Sequence, residues 1–355
     1  MPKEATAVEA SGREVRVSSP SKVYFPELGL TKLDVVQYVL AVGDGILAAL
    51  KDRPTAMERW PEGVTATSSL LAPGNPKGDA FYQKNAPTRG MPEWVQTTEV
   101  TFPSGRRATE VAPADLATIV WMVNLGTLRF HPWPVRHPRT DDVDQLRLDL
   151  DPQPGATYEQ ARQAALVLRE VLADAGLEGF PKTSGGRGLH VFARVTPTSF
   201  IDARHAAIAV GRELERRLPD IVTTAWWKEE RGERIFVDFN QMARDRLMAS
   251  AYSVRPTAEA RVSAPLTWDE VPDAHPDDFT VLTMPARFAE RGDVWAALEA
   301  SAPRPVGTAV EWYDRDATAG QGEMPYPPEY PKMPGEPPRV QPSRMNAENW
   351  PKGDA

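Results

Sequence analysis

Between residues 145 and 151 the chain alternates without a break: Leu146, Leu148 and Leu150 fall on one side, and Arg147, Asp149 and Asp151 on the other. A period of two marks a β-strand, because successive side chains leave the pleated backbone on opposite faces. The strand therefore has one aliphatic face and one charged face. Its carboxylates at i and i+2 project from the same face, with Cα atoms about 7 Å apart. Such a pair is buried only against a compensating cation, and hard oxygen ligands at this spacing suit Mg²⁺ or Mn²⁺. Taken alone, Asp-x-Asp is more often an exposed strand face with hydrated acids.

The neighbouring elements follow from the same periodicities. A helix begins near Thr31, which caps it with Asp34 three residues on; Val35, Tyr38, Val39, Val42, Ile46 and Leu47 then recur at helical spacing. A second helix is predicted over 114–129, with Leu116, Ile119, Val120, Val123 and Leu128 as a core stripe. A third covers 157–175, opened by Thr157 and Gln160 as a capping box and closed by Gly176. A strand over 189–195, a helix over 202–218 and a strand over 234–240 complete the pattern; in the last, Ile235, Val237 and Phe239 oppose Phe236, Asp238 and Asn240. Strand, helix, strand, helix, strand predicts an α/β (α+β) fold, a sheet under two helices. Residues 1–15 read as a polar, flexible start and 64–80, rich in Ser, Gly, Pro and Ala, as a loop. Nine prolines between Pro325 and Pro351 predict an extended tail without its own core.

Composition bounds the partners. The chain has no cysteine, which excludes disulfides and thiolate zinc sites and favours a cytoplasmic setting. It has no run of about 18 apolar residues and its first residues carry no apolar secretory stretch, so no membrane partner is expected. A net charge of −8 and a pI near 5.4 weigh against nucleic acid, since phosphate contacts need Lys and Arg. Whole-chain charge averages over the surface, however, and a carboxylate metal site is itself negative.

Two further signals accompany the paired acids. Thr183-Ser184-Gly185-Gly186-Arg187-Gly188-Leu189-His190 places three glycines before a strand. Glycine lets a backbone approach a ligand and aim N–H groups at phosphate oxygens. Arg187 would add charge and His190 a directed donor. Such a run is more often a plain turn, and a lone His more often structural; Ser184 with His190 also suggests a nucleophile, but no G-x-S-x-G elbow is present. Asp238 is a polar residue in an apolar strand, which by itself fits a cap or edge position.

In combination and in this order, the three signals resemble the archaeo-eukaryotic primase superfamily. Their flanks are similar to the polymerase domain of bacterial ligase D of the mycobacterial type: Leu148-Asp149-Leu150-Asp151-Pro152, the run 183–190, and Val237-Asp238-Phe239-Asn240-Gln241. Further likeness lies in Ser21-Lys22-Val23-Tyr24-Phe25-Pro26, Thr31-Lys32, Arg59-Trp60-Pro61-Glu62-Gly63, Phe81-Tyr82-Gln83-Lys84 and Tyr252-Ser253-Val254-Arg255. The resemblance spans roughly 15–310. It implies a catalytic domain over 16–310, with an RRM-like sheet and a second β-rich subdomain, followed by a Pro-rich extension over 311–355. It implies that Asp149, Asp151 and Asp238 hold two ions, Mn²⁺ or Mg²⁺. It implies nucleotide binding by Ser184, Arg187, His190 and Arg255, with His131 near the site. Lys22 and Lys32 would hold a downstream 5′-phosphate, Phe81 and Tyr82 would stack on template bases, and Lys84 would join the DNA contacts.

The chain also departs from that pattern. No ligase or phosphoesterase domain is fused to it, so it reads as a stand-alone relative. The loop 64–80 is longer than expected, and position 58 is Glu where a basic residue is often found. The implied activity is templated nucleotidyl transfer that fills short gaps in DNA repair or non-homologous end joining, with a ribonucleotide preference. The implied partners are gapped or broken DNA with a 5′-phosphate, NTP or dNTP, a separate DNA ligase and Ku, in a nucleoid-associated bacterial location. The rival readings are a metal-dependent phosphoesterase or nuclease and a non-catalytic nucleic-acid-binding module.

Overall fold

The computed structural model describes residues 4–65, 68, 70, 79–327 and 330–337. The chain opens with a hairpin, β1 (Ala5–Ala10) and β2 (Arg13–Ser18), turning through Ser11 and Gly12 at positive φ. The flexible start expected over 1–15 is therefore largely a strand pair: alternation sends Val15 and Val17 into the core and leaves the polar residues between them outside. β3 (Val23–Phe25) and β4 (Leu30–Thr31) pair and lead into α1 (Lys32–Ala41), where Thr31 and Asp34 form both bonds of the capping box. The helix breaks at Val42, and α2 (Gly43–Leu50) departs at 83°. Gly45 permits the close packing there, since a Cβ would meet the Tyr252 ring at 2.6 Å.

A five-stranded sheet follows, from β5 (Thr55–Arg59), β6 (Phe81–Gln83), β7 (Thr97–Thr101), β8 (Arg107–Val111) and β9 (Thr127–Pro132), with β5 paired to β6, β8 and β9. The helix predicted over 114–129 is shorter, α3 (Leu116–Asn124): Gly126 at φ +95° stops it, and the following residues extend as β9.

The second half is built on β10 (Val143–Pro152), α4 (Tyr158–Asp174), β11 (Gly179–Thr183), β12 (Leu189–Thr198), α5 (Phe200–Arg217), β13 (Val222–Thr223) and β14 (Ile235–Val237). The sheet order is β11-β12-β10-β14-β13, a β-α-β-β-α-β unit with an added short strand, which is the RRM-like arrangement expected. The capping box of Thr157 and Gln160 opens α4 as predicted. Helices α4 and α5 cover the face carrying Leu146, Leu148 and Leu150, all at most 1% exposed. Each buried leucine contributes about 1.5–3 kcal/mol. A one-residue slip would drive Asp149 and Asp151 into that helix layer, so packing fixes the register that presents the acids. The chain continues through α6 (Met284–Arg291), α7 (Ala296–Ala300) and α8 (Gly307–Thr318), the last packed along α5.

Candidate active site

The antiparallel pairing of β10 with β14 sets Leu150 opposite Val237, and the backbone N–H of Asp238 donates to the carbonyl of Asp149 at 3.1 Å. The third acid is thus brought beside the first. The predicted strand 234–240 stops at Val237, and the chain turns through a 3₁₀ segment, Phe239–Met242. That turn supplies two donors to Asp238, the N–H of Asn240 to Oδ1 at 3.1 Å and Gln241 Nε2 to Oδ2 at 2.8 Å. Asp151 Oδ2 accepts from Gln153 Nε2 at 3.1 Å, and Asp149 Oδ1 lies 3.3 Å from His190 Nε2. Asp149 keeps 19% of its side chain exposed. Burial pushes it up to about 6, against the pull of Lys182 and Arg255. Asp238 is pushed up to about 6 by burial and then by the Asp149 charge, and Asp151 is raised for the same two reasons. Three acids that desolvate and repel one another form a donor set that gains by binding a cation. Among the described residues no group of three or more His, Cys, Asp or Glu side chains is already arranged to hold a metal ion. The set therefore fits Mg²⁺ or Mn²⁺ held by one or two carboxylates and completed by substrate phosphates, rather than a metal held by protein alone.

The turn between β11 and β12 closes on itself. Ser184 Oγ accepts from the N–H groups of Gly186 and Gly188, each at 3.1 Å, and Ser184 N donates to Gly188 O at 3.0 Å. Its glycines leave room for Arg255: a Cβ on Gly186 would sit 2.7 Å from Arg255 Nη2, and one on Gly185 2.7 Å from its Cγ. Ser184, His190 and Arg255 thus share one wall beside Asp149. Arg255 is held down to about 10 by burial and then by Arg129. Arg187 is exposed; its Nη2 lies 3.4 Å from Pro152 O, and its charge lowers Asp151.

His131 lies in a second cluster facing Arg255. Its Nε2 is 3.1 Å from Glu58 Oε2, and its ring meets Tyr82 edge-on with centroids 5.1 Å apart. Glu58 also pairs with Arg129 and accepts from Trp60 Nε1 at 2.9 Å. Burial would raise Glu58, but His131 and Arg129 outweigh it and hold it at about 2. The anomalous acid at 58 is therefore a buried anchor for His131 and Arg129.

Phe81 and Tyr82 are consecutive on a strand and so point to opposite faces. Tyr82 is 44% exposed beside His131, whereas Phe81 lies under the Arg59 guanidinium at 5.2 Å. They do not form one stacking surface. Lys22 is at the surface, paired with Glu62 at 2.7 Å. Lys32 is buried, donating to Ser18 O at 2.8 Å and Asn124 Oδ1 at 2.9 Å, and is lowered to about 8 by burial, then by Lys22 and Arg59. The backbone brings these lysines together, since Lys32 N donates to Lys22 O at 2.8 Å. Lys84 is chelated by Asp245 at 2.7 and 2.8 Å, which neutralises it in place. Most of the loop 64–80, namely 66, 67, 69 and 71–78, lies outside the described residues.

The sequence pattern of the family described as LigD, primase-polymerase domain, matches residues 31–295. The chain belongs to this family. The LigD relatives include the multifunctional non-homologous end joining protein LigD of Mycolicibacterium smegmatis, 30% identical over 90% of this chain and 40% of its own length. The bifunctional non-homologous end joining protein LigD of Bacillus subtilis is 27% identical over 79% of this chain and 43% of its own. The chain thus spans about two fifths of these relatives. The polymerase domain of Mycobacterium tuberculosis ligase D, solved in complex with DNA, superposes with a TM-score of 0.71 at 30% identity, over 81% of this chain and 98% of that one. The α+β fold read from the sequence is that of the LigD polymerase domain.

Sequence reasoning missed several residues in the LigD-type site. Lys182 lies directly opposite His190 on β11, a strand with no alternation to reveal it. Arg129 sits two residues before the expected His131 in Leu128-Arg129-Phe130-His131, a period-two signal hidden because the stretch reads as the end of a helix.

Proposed function

We propose that this chain is a templated nucleotidyl transferase that extends a primer strand across short gaps in DNA during repair or end joining. The observation that carries this reading is the approach of Asp149, Asp151 and Asp238 to one another beside the wall of Ser184, His190 and Arg255. In this reading the three acids would hold two divalent ions, Mn²⁺ or Mg²⁺, and such ions would supply acidification of the attacking 3′-hydroxyl and compensation of charge on the departing pyrophosphate. Arg255 and Arg187 bind the triphosphate with charge-assisted hydrogen bonds. Ser184 holds the turn in shape, and His190 directs a ring nitrogen at the reacting phosphate. His131, fixed by Glu58, orients the nucleotide from the opposite side, and Tyr82 stacks on a base. Lys22 meets the 5′-phosphate across the gap. The reading includes a ribonucleotide preference, action at the bacterial nucleoid in the cytoplasm, and hand-over to a DNA ligase with Ku at broken ends.

The test is primer extension on gapped, 5′-phosphorylated DNA with Mn²⁺ or Mg²⁺ and each nucleotide type. Template-directed addition that is lost on chelation, and falls by about 10³-fold or more in Asp149→Ala and Asp238→Ala, is the expected result. Nucleotide release instead of addition would establish a phosphoesterase. DNA binding without either reaction would leave a binding module.

A further inference from the structure

The family pattern ends at residue 295, and the chain runs on through α8 into a C-terminal segment. That segment returns to the catalytic sheet. After α8, Arg212 donates to the carbonyls of Gln321 and Gly322 at 2.6 and 2.8 Å. Glu323 pairs with Arg204 and lies 3.0 Å from His205 Nε2. Arg204, on α5, is fully buried and also donates to the carbonyls of Met324 and Pro325, at 2.9 and 3.2 Å, with the Tyr326 ring centroid 3.7 Å from its guanidinium carbon. Its remaining direction is toward the site: Nε donates to Asn240 Oδ1 at 3.2 Å, and Asn240 Nδ2 donates back to Pro325 O at 3.1 Å. Asn240 is the residue whose backbone N–H holds Asp238 Oδ1. Pro327 then lines the same cleft as Asp151 and Asp238.

We propose that residues 321–326 form a strap that positions the catalytic centre, acting through Arg204 and Asn240 to hold the turn that presents Asp238. The inference rests on the reading of Asp238 as a metal-binding acid. A buried guanidinium must keep its carboxylate, and here that carboxylate, Glu323, is supplied by the strap. With both ends of its side-chain amide engaged, Asn240 is anchored to Arg204 and the strap, which holds the turn carrying its backbone N–H against one oxygen of Asp238 while Gln241 engages the other. Groups that orient metal ligands in this way typically alter metal affinity 10–100-fold when removed.

The test is Mn²⁺ binding to the full chain without DNA or nucleotide, read as free Mn²⁺ by electron paramagnetic resonance, with the melting temperature measured in parallel. Asp238→Ala serves as the reference. Asn240→Ala and Glu323→Ala are each expected to raise the Kd about 10-fold. The double variant should be no worse than either alone, because both act through one chain of contacts. Glu323→Gln, which keeps an acceptor for Arg204, should recover most of the affinity. If Glu323→Ala fails to fold, Asn240→Ala carries the test. A Kd within about twofold of wild type in Asn240→Ala, with Asp238→Ala impaired, overturns the strap's role and leaves it a structural brace. An unchanged Kd in Asp238→Ala overturns the metal assignment and the strap's role with it.

Discussion

Lys182 and His190 face each other across β11 and β12, with the lysine Nζ 2.8 Å from the imidazole Nδ1. Lys182 is wholly buried and also donates to Ser263 Oγ, whose own hydroxyl is spent on Thr183 O. Burial holds His190 well below the usual imidazole range, reinforced by Lys182 and Arg255, so the ring is neutral. An ammonium has only donors, so where Lys182 carries its proton Nδ1 accepts and the ring's single proton is on Nε2, the nitrogen 3.3 Å from Asp149 Oδ1. A file of four side chains thus sets the tautomer that faces the acids.

Lys182→Met tests that file. It removes the donor while keeping an unbranched apolar stem of similar length. We expect kcat for primer extension to fall about 10–100-fold, DNA affinity to stay unchanged, and the ¹⁵N signature of His190 to shift toward a mixture of tautomers. A single unaltered tautomer with a wild-type rate would reduce Lys182 to a packing residue.

The two lysines read alike in sequence separate in the structure. Lys22 is held by an exposed pair with Glu62 that contributes little and yields readily to a phosphate. Lys32 is buried on Ser18 and Asn124. Lys22→Ala should weaken binding to gaps with a 5′-phosphate more than to gaps ending in 5′-hydroxyl in mobility-shift titrations. Lys32→Ala should lower stability by about 1–3 kcal/mol in chemical denaturation, because it strands buried acceptors. Equal losses by Lys22→Ala on both substrates would make Lys22 a general backbone contact.

Glu110 on β8 gives a pH prediction remote from the site. It is fully buried, with Oε2 accepting from Trp133 Nε1 at 2.9 Å and Oε1 without a partner among the described residues. Burial pushes its carboxyl up to about 8, against the Trp133 hydrogen bond. The folded chain therefore keeps a proton that the unfolded chain loses above its ordinary value of 4.5. Its contribution to stability is greatest below that value, falls as pH rises toward 8, and is level above. In Glu110→Gln this slope is absent. The variant's melting temperature should match wild type near pH 5 and exceed it by several degrees near pH 8.5, a difference of a few kcal/mol. Parallel curves would show that Glu110 ionises freely in the fold.

What could be read from the sequence was what is encoded locally. Residues 145–151 announce β10 because one face is aliphatic and the other is not, and Thr157 with Gln160 announces α4 because a capping box is complete within four residues. β11 stayed hidden because all five of its residues are buried, which erases alternation. The start of the chain reads as flexible because its polar residues are the exposed half of a hairpin. The acids and the glycine turn were found from their order along the chain. The partners that set their geometry, Lys182 for His190, Glu58 for His131 and Glu323 for Arg204, depend on strand register or on contacts up to 119 residues apart, and no local pattern carries those.

Two glycines of the same turn should fail in different ways. At Gly186 an added Cβ would meet Arg255 Nη2 at 2.7 Å, the far end of a flexible side chain. At Gly188 it would meet the carbonyl oxygen of Leu150 at 2.3 Å, on the backbone between Asp149 and Asp151. Gly186→Ala can therefore be accommodated by swinging the guanidinium away, which leaves the fold intact but removes a charge from the triphosphate side. Its melting temperature should stay within a degree or two of wild type while the KM for nucleotide rises about 10-fold or more, as loss of a charge-assisted hydrogen bond predicts. Gly188→Ala has no such escape: β12 must move off β10, which breaks the pairing that aligns His190 with Asp149. It should lower stability and kcat together. Nucleotide KM, kcat and thermal melting on both variants check the contrast. If Gly186→Ala leaves KM unchanged, Arg255 does not need its place over the turn, and the glycines there serve only the tightness of the chain.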